Sequence, residues 1–397
     1  MKRAYTNARI LDVEKRELVA DACLVAEDDR ILDIRVGETP DAEERIDLKG
    51  RYVVPGLFNC HTHMNFAYGN ASFGEERSVA WHTIIGIRSL EEYIETGCTF
   101  VREVGDYGFI TVDLRDAVRQ GWIRRAPDIQ TCGRPITMTG GSMWIRGIGY
   151  EADGPDECRK AARFMLRNKV DWVKIMATGG TCTLGNKCGT PQLDEQEIAA
   201  AIHEAHKAGK RVSCHAQGIE GAKCAIRAGA DSIEHGFELD DECIDMMVER
   251  GIWLVPTLCA SYEIMQRADA GTHPEFVEKA KRNVDNVFRS FPKAYRAGVR
   301  CAAGTDCGSV LNPHTNTCEE LILMVEKAGL SPWEALEVGT INSARLCGVE
   351  KEMGSLTAGK KANFAVYVAN PLEDIKALRQ CGMTVKNGEA LFIAPAF

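Results

Sequence analysis

The sequence lacks any run of about 18 consecutive apolar residues, which excludes a membrane-spanning helix on pattern alone. Its first residues, MKRAYTNARILDVEKREL, carry a charge every few positions and lack the ~7–15-residue apolar stretch of a secretory signal. There is no basic block. Lys plus Arg number 48 against 57 Asp plus Glu, a formal charge of −9, so nucleic acid and anionic membrane are poor partners. The 16 cysteines contain no C-x-x-C pair, and a disulfide framework belongs to short secreted chains. Buried, reduced thiols in a cytoplasmic protein are therefore expected. Low-complexity tracts and short-period repeats are also missing. What remains is an ordinary globular composition of 397 residues, 45% hydrophobic and 26% charged. That length accommodates one barrel of ~250 residues with a smaller appendage.

Both ends of the chain read as β-structure. The first 55 residues alternate short apolar runs with charged turns, with Asp28-Asp29 as a hairpin turn, and the last ~40 contain NFAVYVANP and the hairpin signal Asn387-Gly388. The two ends are expected to pair into one small sheet domain, 1–55 with 352–397. Between them, residues 56–351 repeat a strand–loop–helix pattern. Eight candidate strands occur: RYVVPGLFNC, TFVREVG, APDIQTCG, DWVKIMATGG, RVSCHA, ADSIEHG, GIWLVPTL and VRCAAGTD. Helical segments between them end at Gly209, Gly229, Gly251 and Gly298, the expected stop signal. This order predicts an α/β protein with a parallel (β/α)8 TIM barrel, whose active site lies at the C-terminal ends of the strands.

Histidine is scarce, nine in all, and its placement is informative. His61 and His63 close the first strand two residues apart, so their side chains share a face. His215 closes the fifth strand, His235 the sixth, and Asp306 the eighth. Four imidazoles and a carboxylate thus converge at one mouth, a ligand set suited to Zn2+ or a similar divalent ion. Lys174 lies inside the fourth strand among apolar neighbours, where an unpaired ammonium is costly to bury. Two readings stay open for it. A neutral amine can take up CO2 to give a carbamate that bridges two metals; alternatively the head snorkels to the mouth or pairs with a carboxylate such as Glu103.

His61-Thr62-His63, Lys174, His215, His235 and Asp306 together resemble the metal-ligand pattern of the amidohydrolase superfamily. The phrases VKIMATGG, ADSIEHG, PTL and GTDCG resemble its prolidase-like branch of metal-dependent dipeptidases and carboxypeptidases, and the likeness extends through NARILD, VVPGLFNCHTH, SPWEALEVGTINSARLCGV and GSLTAGKKANFAVY. The resemblance implies a barrel flanked by a β-sandwich, and two metals, usually zinc. His61, His63 and Asp306 would hold one, His215 and His235 the other, with carboxylated Lys174 and a hydroxide bridging them. Asp306 would act as general base and then acid. The implied reaction is hydrolysis of an amide or peptide-type C–N bond in a small molecule, a dipeptide or N-acyl amino acid. A deaminase or a cyclic amide or amidine hydrolase, imidazolonepropionase-like, is the alternative, although such relatives generally lack the bridging lysine. The same metal pair also permits an esterase or lactonase. A non-catalytic scaffold would be expected to have lost ligands, and all six positions here are competent. Homo-oligomerisation is compatible with such a fold.

One departure stands out. In ITMTGGSMW, Ser142 occupies the place where similar prolidase-like proteins commonly carry a substrate-binding His, which puts simple dipeptide specificity in doubt. Gln217 fits a variant of that branch in which it contacts substrate. Tyr68, Arg134, Arg146, Lys187 and His314 are further loop candidates for binding substrate, His314 above all because its loop should hang over the metals. His203-Glu204-Ala205-His206 has i, i+3 spacing instead of the i, i+4 of a metalloprotease helix. Cys182 and Cys188 lack a partner pair, and Cys60 should point away from the mouth.

Overall fold

The computed structural model describes residues 1–38, 40–67, 77–144, 147–395 and 397. The chain opens with β1 (Lys2–Asp12), β2 (Glu17–Glu27), β3 (Arg30–Val36), β4 (Glu44–Asp47) and β5 (Tyr52–Pro55). The strands that follow are β6 (Leu57–Thr62), β7 (Cys98–Glu103), β8 (Asp128–Thr131), β9 (Ile136–Thr137), β10 (Tyr150–Glu151), β11 (Trp172–Met176), β12 (Arg211–Ala216), β13 (Ser232–His235), β14 (Trp253–Val255) and β15 (Arg300–Cys301). The chain closes with β16 (Phe364–Tyr367), β17 (Cys381–Lys386) and β18 (Glu389–Ile393).

The two ends do pair. They form a single eight-stranded sheet in the order β18-β17-β16-β5-β1-β2-β3, with β4 alongside β1. Both hairpin turns fall where expected, at Asp28-Asp29 between β2 and β3 and at Asn387-Gly388 between β17 and β18, where both Asn387 (φ 49°) and Gly388 (φ 74°) have the positive φ of a type I′ turn. Strand alternation sorts this sheet's side chains into two sets. Val53, Phe364 and Val366 join Tyr5, Ile10, Leu24 and Val385 in the sheet's own core. Their neighbours Tyr52, Val54, Ala365 and Tyr367 face the other way, into the large core shared with the parallel strands. The expected β-sandwich therefore takes the form of one connected sheet, with no second sheet of terminal strands among the described residues.

All eight predicted parallel strands are present, but they do not close as one continuous ladder. They divide into a three-stranded sheet, β6-β7-β8, and a seven-stranded sheet, β10-β9-β11-β12-β13-β14-β15. The third predicted strand is present as β8, a further short strand, β9, follows it at the start of ITMTGGSMW, and the eighth is paired over only two residues. Backbone hydrogen bonds outside the ladders span the gaps. Asp171 N–H donates to the Thr131 carbonyl at 2.8 Å, Cys60 N–H to Ala303 at 2.7 Å and Asp306 N–H to His61 at 2.8 Å. The result is a TIM-barrel-like scaffold in which the seam between β6 and the segment after β15, where Thr62 also bridges Cys307, carries three of the predicted ligands.

Helices cover the outside of the parallel strands. Those used below are α1 (Glu195–Lys207), α2 (Ile219–Ala228), α3 (Asp241–Arg250), α4 (Leu258–Gln266) and α5 (Pro274–Arg296). α1 starts at a capping box, Asp194 with Glu197, and α2 and α3 stop at Gly229 (φ 95°) and Gly251 (φ 66°), left-handed positions that suit glycine. His203 and His206 lie exposed on α1, and His206 bonds Asp231 at 2.8 Å. No described helix is long and apolar enough to cross a membrane. All 16 cysteines are free.

Candidate active site

The C-terminal ends of the parallel strands surround a pocket with about 540 Å3 of open space continuous with solvent. His61, His63, Lys174, His215, His235 and Asp306 all line it. Simple alternation delivers most of them. On β6, Asn59, His61 and His63 face inward, while Phe58 and Cys60 pack into an apolar cluster where the Cys60 thiol meets that of Cys347 at 3.7 Å. On β12, His215 and Gln217 follow Ser213 on the inner face, while Val212 and Cys214 join the large core.

Alternation fails at β13, and the failure is instructive. Glu234 and His235 are adjacent, yet both reach the centre. His235 has φ 73°, a strained backbone position for a non-glycine residue, and this turns its ring inward after Glu234 has already pointed there. Asp306 (φ 59°) and Thr257 (φ 51°) are held in the same region. Thr257 Oγ1 fixes His235 through its Nδ1 at 2.7 Å. Three left-handed residues around one cavity are the mark of a built site.

Beneath the imidazoles lies a charged layer that pattern reading misses. Glu234 Oε2 bonds His61 Nδ1 at 2.7 Å, while its Oε1 accepts from Arg102 Nη2 at 2.8 Å and Ser232 Oγ at 2.6 Å. Arg102 also donates from Nε to the Cys60 carbonyl at 2.7 Å, and its guanidinium lies 4.6 Å from the centre of the Trp172 ring. Arg102 and Glu234 are wholly buried. Burial opposes the charge on Glu234, but Arg102 and Lys174 hold its carboxyl below the usual range. The available signal was a charged residue inside each of two otherwise apolar strands, TFVREVG and ADSIEHG.

The rings are prepared as ligands. Burial pushes His61, His215 and His235 well below the ordinary imidazole range, so their neutral forms are favoured. His63 differs. Burial opposes its charge too, but hydrogen bonds to Asp306 and Glu103 raise it to about 9. Its Nε2 lies 3.1 Å from Asp306 Oδ1, and His61 Nε2 lies 3.5 Å from the same oxygen. Donor atoms of His61, His235 and Asp306 all fall within 4.8 Å of one another. His215 Nε2 and Lys174 Nζ are buried with no hydrogen-bond partner, although unsatisfied buried groups are costly. Four imidazoles, one of them with an orphaned nitrogen, a carboxylate and an orphaned amine in one cavity fit a divalent cation. Lys174 is 1% exposed and its amine makes no hydrogen bond to a carboxylate among the described residues; Glu103 accepts from Gly105 N–H at 2.8 Å and from the Thr111 hydroxyl at 3.2 Å, and Glu234 acts on the amine through its charge. Burial lowers the Lys174 amine from its ordinary value.

Ser142 and Gln217 line the same pocket. Ser142 Oγ lies 3.3 Å from Thr183 Oγ1, and Gln217 Oε1 accepts from Thr181 Oγ1 at 3.1 Å and Cys188 Sγ at 2.8 Å. His314 corrects the expectation placed on it. Its Nδ1 bonds the Tyr93 hydroxyl at 3.0 Å and its Nε2 the Phe66 carbonyl at 2.9 Å, which ties both nitrogens into the scaffold behind the pocket wall. Arg134 is likewise structural, donating to the carbonyls of Ile148 and Gly149 at 3.2 and 2.7 Å, and Lys187 is exposed off the pocket. Tyr68 and Arg146 lie outside the described residues. No residue pattern announced the apolar wall formed by Met143, Met176, Ala260 and Ile264.

Parallel strands whose ends gather four histidines, a lysine and an aspartate define a hydrolase on a TIM-barrel-like scaffold. The chain belongs to the amidohydrolase family, whose profile matches residues 52–391, and it is an enzyme of the kind that hydrolyses carbon–nitrogen bonds. The ochratoxinase of Aspergillus niger is 28% identical over 355 residues, covering 83% of this chain and 72% of that protein. An imidazolonepropionase from Methylobacterium sp. (strain 4-46) is 26% identical over 413 residues, 94% of each chain. Among solved structures, a Xaa-Pro dipeptidase with methionine bound in its active site is 30% identical with a TM-score of 0.92, covering 99% of this chain and 100% of the other. A prolidase complexed with N-methylphosphonate-L-proline is 26% identical with a TM-score of 0.91 over the same shares.

Proposed function

We propose that this protein hydrolyses an amide or peptide-type C–N bond in a small molecule, a dipeptide or N-acyl amino acid, with two divalent metal ions, Zn2+ being the natural choice. The observation that carries this reading is Lys174: a fully buried amine with no partner, facing four imidazoles and a carboxylate. Reaction with CO2 would convert that amine into a carbamate, with loss of a proton, and replace an uncompensated donor by a two-oxygen anionic ligand. His61, His63 and Asp306 would hold one ion and His215 and His235 the other. The bound ions would supply a water activated at neutral pH and polarise the scissile carbonyl. Asp306, open to the pocket between His61 and His63, would take the proton of the attacking water on its carboxylate and return it to the leaving nitrogen. Ser142, Gln217 and the Met143–Met176–Ile264 wall would receive the remainder of the substrate.

A cyclic-amide hydrolase is the second reading, favoured by the full-length likeness to an imidazolonepropionase. One experiment separates them. Metal-loaded wild type and Asp306→Asn are incubated with pooled dipeptides, N-acyl amino acids and cyclic amides, and products are read by mass spectrometry. Splitting into two fragments with gain of water, slowed by about 10²–10⁴ in Asp306→Asn, is the expected result. Gain of water without fragmentation would favour the cyclic amide. Replacement of an amine by oxygen would make the protein a deaminase and overturn the proposal.

A further inference from the structure

At the opposite end of the parallel strands the character of the surface reverses. Arg211 is the first residue of β12 and Trp253 of β14, where Trp253 is in register with Arg300 at the start of β15. Arg211 precedes His215 by four residues on one strand, which separates this end from the pocket by about 13 Å. Two adjoining hollows share Arg211, Trp253 and Arg300. One, with about 640 Å3 of open space, adds Arg250 and Asp231; the other, with about 900 Å3, adds Arg345 and Glu350. Four guanidinium groups therefore meet two carboxylates in a chain of net charge −9.

Neither acid forms an ion pair with these arginines among the described residues. Asp231 Oδ2 already accepts from His206 Nε2 at 2.8 Å and from the Val212 N–H at 2.7 Å. Three of the arginines are anchored mainly by neutral acceptors, which fix their position and leave their charge uncompensated. Arg211 donates to the Arg345 and Leu346 carbonyls, Arg250 to those of Ile226 and Arg227 at 3.1 Å each, and Arg345 to Asn342 Oδ1 at 2.9 Å; among the described residues only Arg345 of the three forms an ion pair, with Glu14 at 3.9 Å. Each guanidinium has five N–H groups, so most donors remain unspent. Arg300 makes no hydrogen bond or ion pair among the described residues; its guanidinium stands 5.9 Å from the Trp253 ring centre. A planar fork within cation–π reach of an indole, with anchored cations beside it, is an arrangement that can receive a doubly charged oxyanion.

We infer that this arginine basin binds a phosphate group, free or carried by a small phosphomonoester, at a site separate from the hydrolytic pocket. The inference does not rest on the reading of the catalytic reaction. Isothermal titration of the metal-loaded protein with inorganic phosphate and with glycerol phosphate, against sodium chloride of equal ionic strength, tests it. Saturable binding is expected, weakened by about tenfold or more in Arg300→Gln and in Arg250→Gln, and less in Arg300→Lys, which keeps the charge but not the fork. Hydrolysis of whichever substrate the wild type accepts should be unchanged in Arg300→Gln without phosphate. Tighter binding of the ester than of free phosphate would assign the site to a phosphorylated metabolite, and the reverse to the free ion. Binding of equal affinity in wild type and both glutamine variants would place the phosphate elsewhere, and a response matched by sodium chloride would reduce it to screening; either result overturns the inference.

Discussion

Lys174 and Lys386 are both buried lysines on β-strands, and their surroundings differ in one respect. Lys386, 6% exposed, ends β17 where the terminal sheet meets β8, and its ammonium lies 2.8 Å from Asp128, with Lys361 at 3.2 Å from the same carboxylate. Lys174, 1% exposed in the middle of β11, has no hydrogen-bond partner for its amine among the described residues. A fold that satisfies one buried ammonium and leaves another orphaned has not overlooked the second. The sheet junction is finished by folding alone, whereas the pocket is finished by what enters it. An unpaired buried amine in a pocket lined by imidazoles marks where stability has been given up for chemistry.

The largest effect that would test this contrast comes from removing the orphan. In Lys174→Ala the metal content should fall from two ions per chain to one or none, and turnover by about three orders of magnitude or more. Short carboxylic acids should restore part of both, because the vacated space can accept a carboxylate where the carbamate stood. Elemental analysis beside a turnover assay reads both quantities; full metal content in the variant would remove the bridging role. A sharper form uses Lys174→Met in metal-stripped protein. Removing an unpaired buried amine while keeping its volume should raise stability there by about 1–3 kcal/mol in urea unfolding, whereas the same change at Lys386 should lower it.

The extent to which sequence revealed all this follows from the kind of rule each element obeys. β6 and β12 keep strict alternation, so His61, His63 and His215 were legible from a period of two. The pairing of the chain's ends was legible too, because Tyr52-Val53-Val54 and Phe364 to Tyr367 present both faces to apolar cores and require partners on each side. Strand three was legible as APDIQTCG, but β9 was not: it starts just past a Gly-Arg-Pro stretch, where Pro135 has no N–H to donate, in residues read as a loop. The inward turn of His235 after Glu234 depends on a positive φ that no periodicity announces. His314 misled for the opposite reason: its place after Asp306 was right, but the hydroxyl of Tyr93, 221 residues away in sequence, captures its ring. The Arg102–Glu234 pair is likewise a long-range contact whose members are 132 residues apart.

That pair supplies the next test in order of size. Glu234→Gln keeps the shape but leaves Arg102 charged and uncompensated in a fully buried layer, and it withdraws the carboxylate that orients His61. Loss of one member of a buried ion pair costs about 3–5 kcal/mol, and loss of a carboxylate behind a ligating histidine weakens metal affinity by about 10–100-fold. Urea unfolding of stripped protein measures the first, and competition with a chelator the second. A drop in stability with unaltered metal affinity would confine Glu234 to the scaffold.

The smallest effect belongs to the finished region and has a pH signature of its own. Burial opposes ionisation of Asp128, yet Lys386 and Lys361 hold its carboxyl below the usual range. A carboxyl with a depressed folded-state pKa contributes stability that is fully present above its unfolded value near 3.9 and is lost as pH falls through the folded one. Lys386→Met should therefore cost about 1–2 kcal/mol at pH 7, less than a complete break of a buried pair because Lys361 remains. The gap between wild type and variant should narrow once the pH drops below about 4, because protonated Asp128 no longer distinguishes one neighbouring cation from two. Metal content and turnover should not move. A gap of equal size at pH 7 and in acid would mean that Lys386 stabilises the junction through its buried alkyl chain, and the contrast with Lys174 would then rest on packing instead of charge.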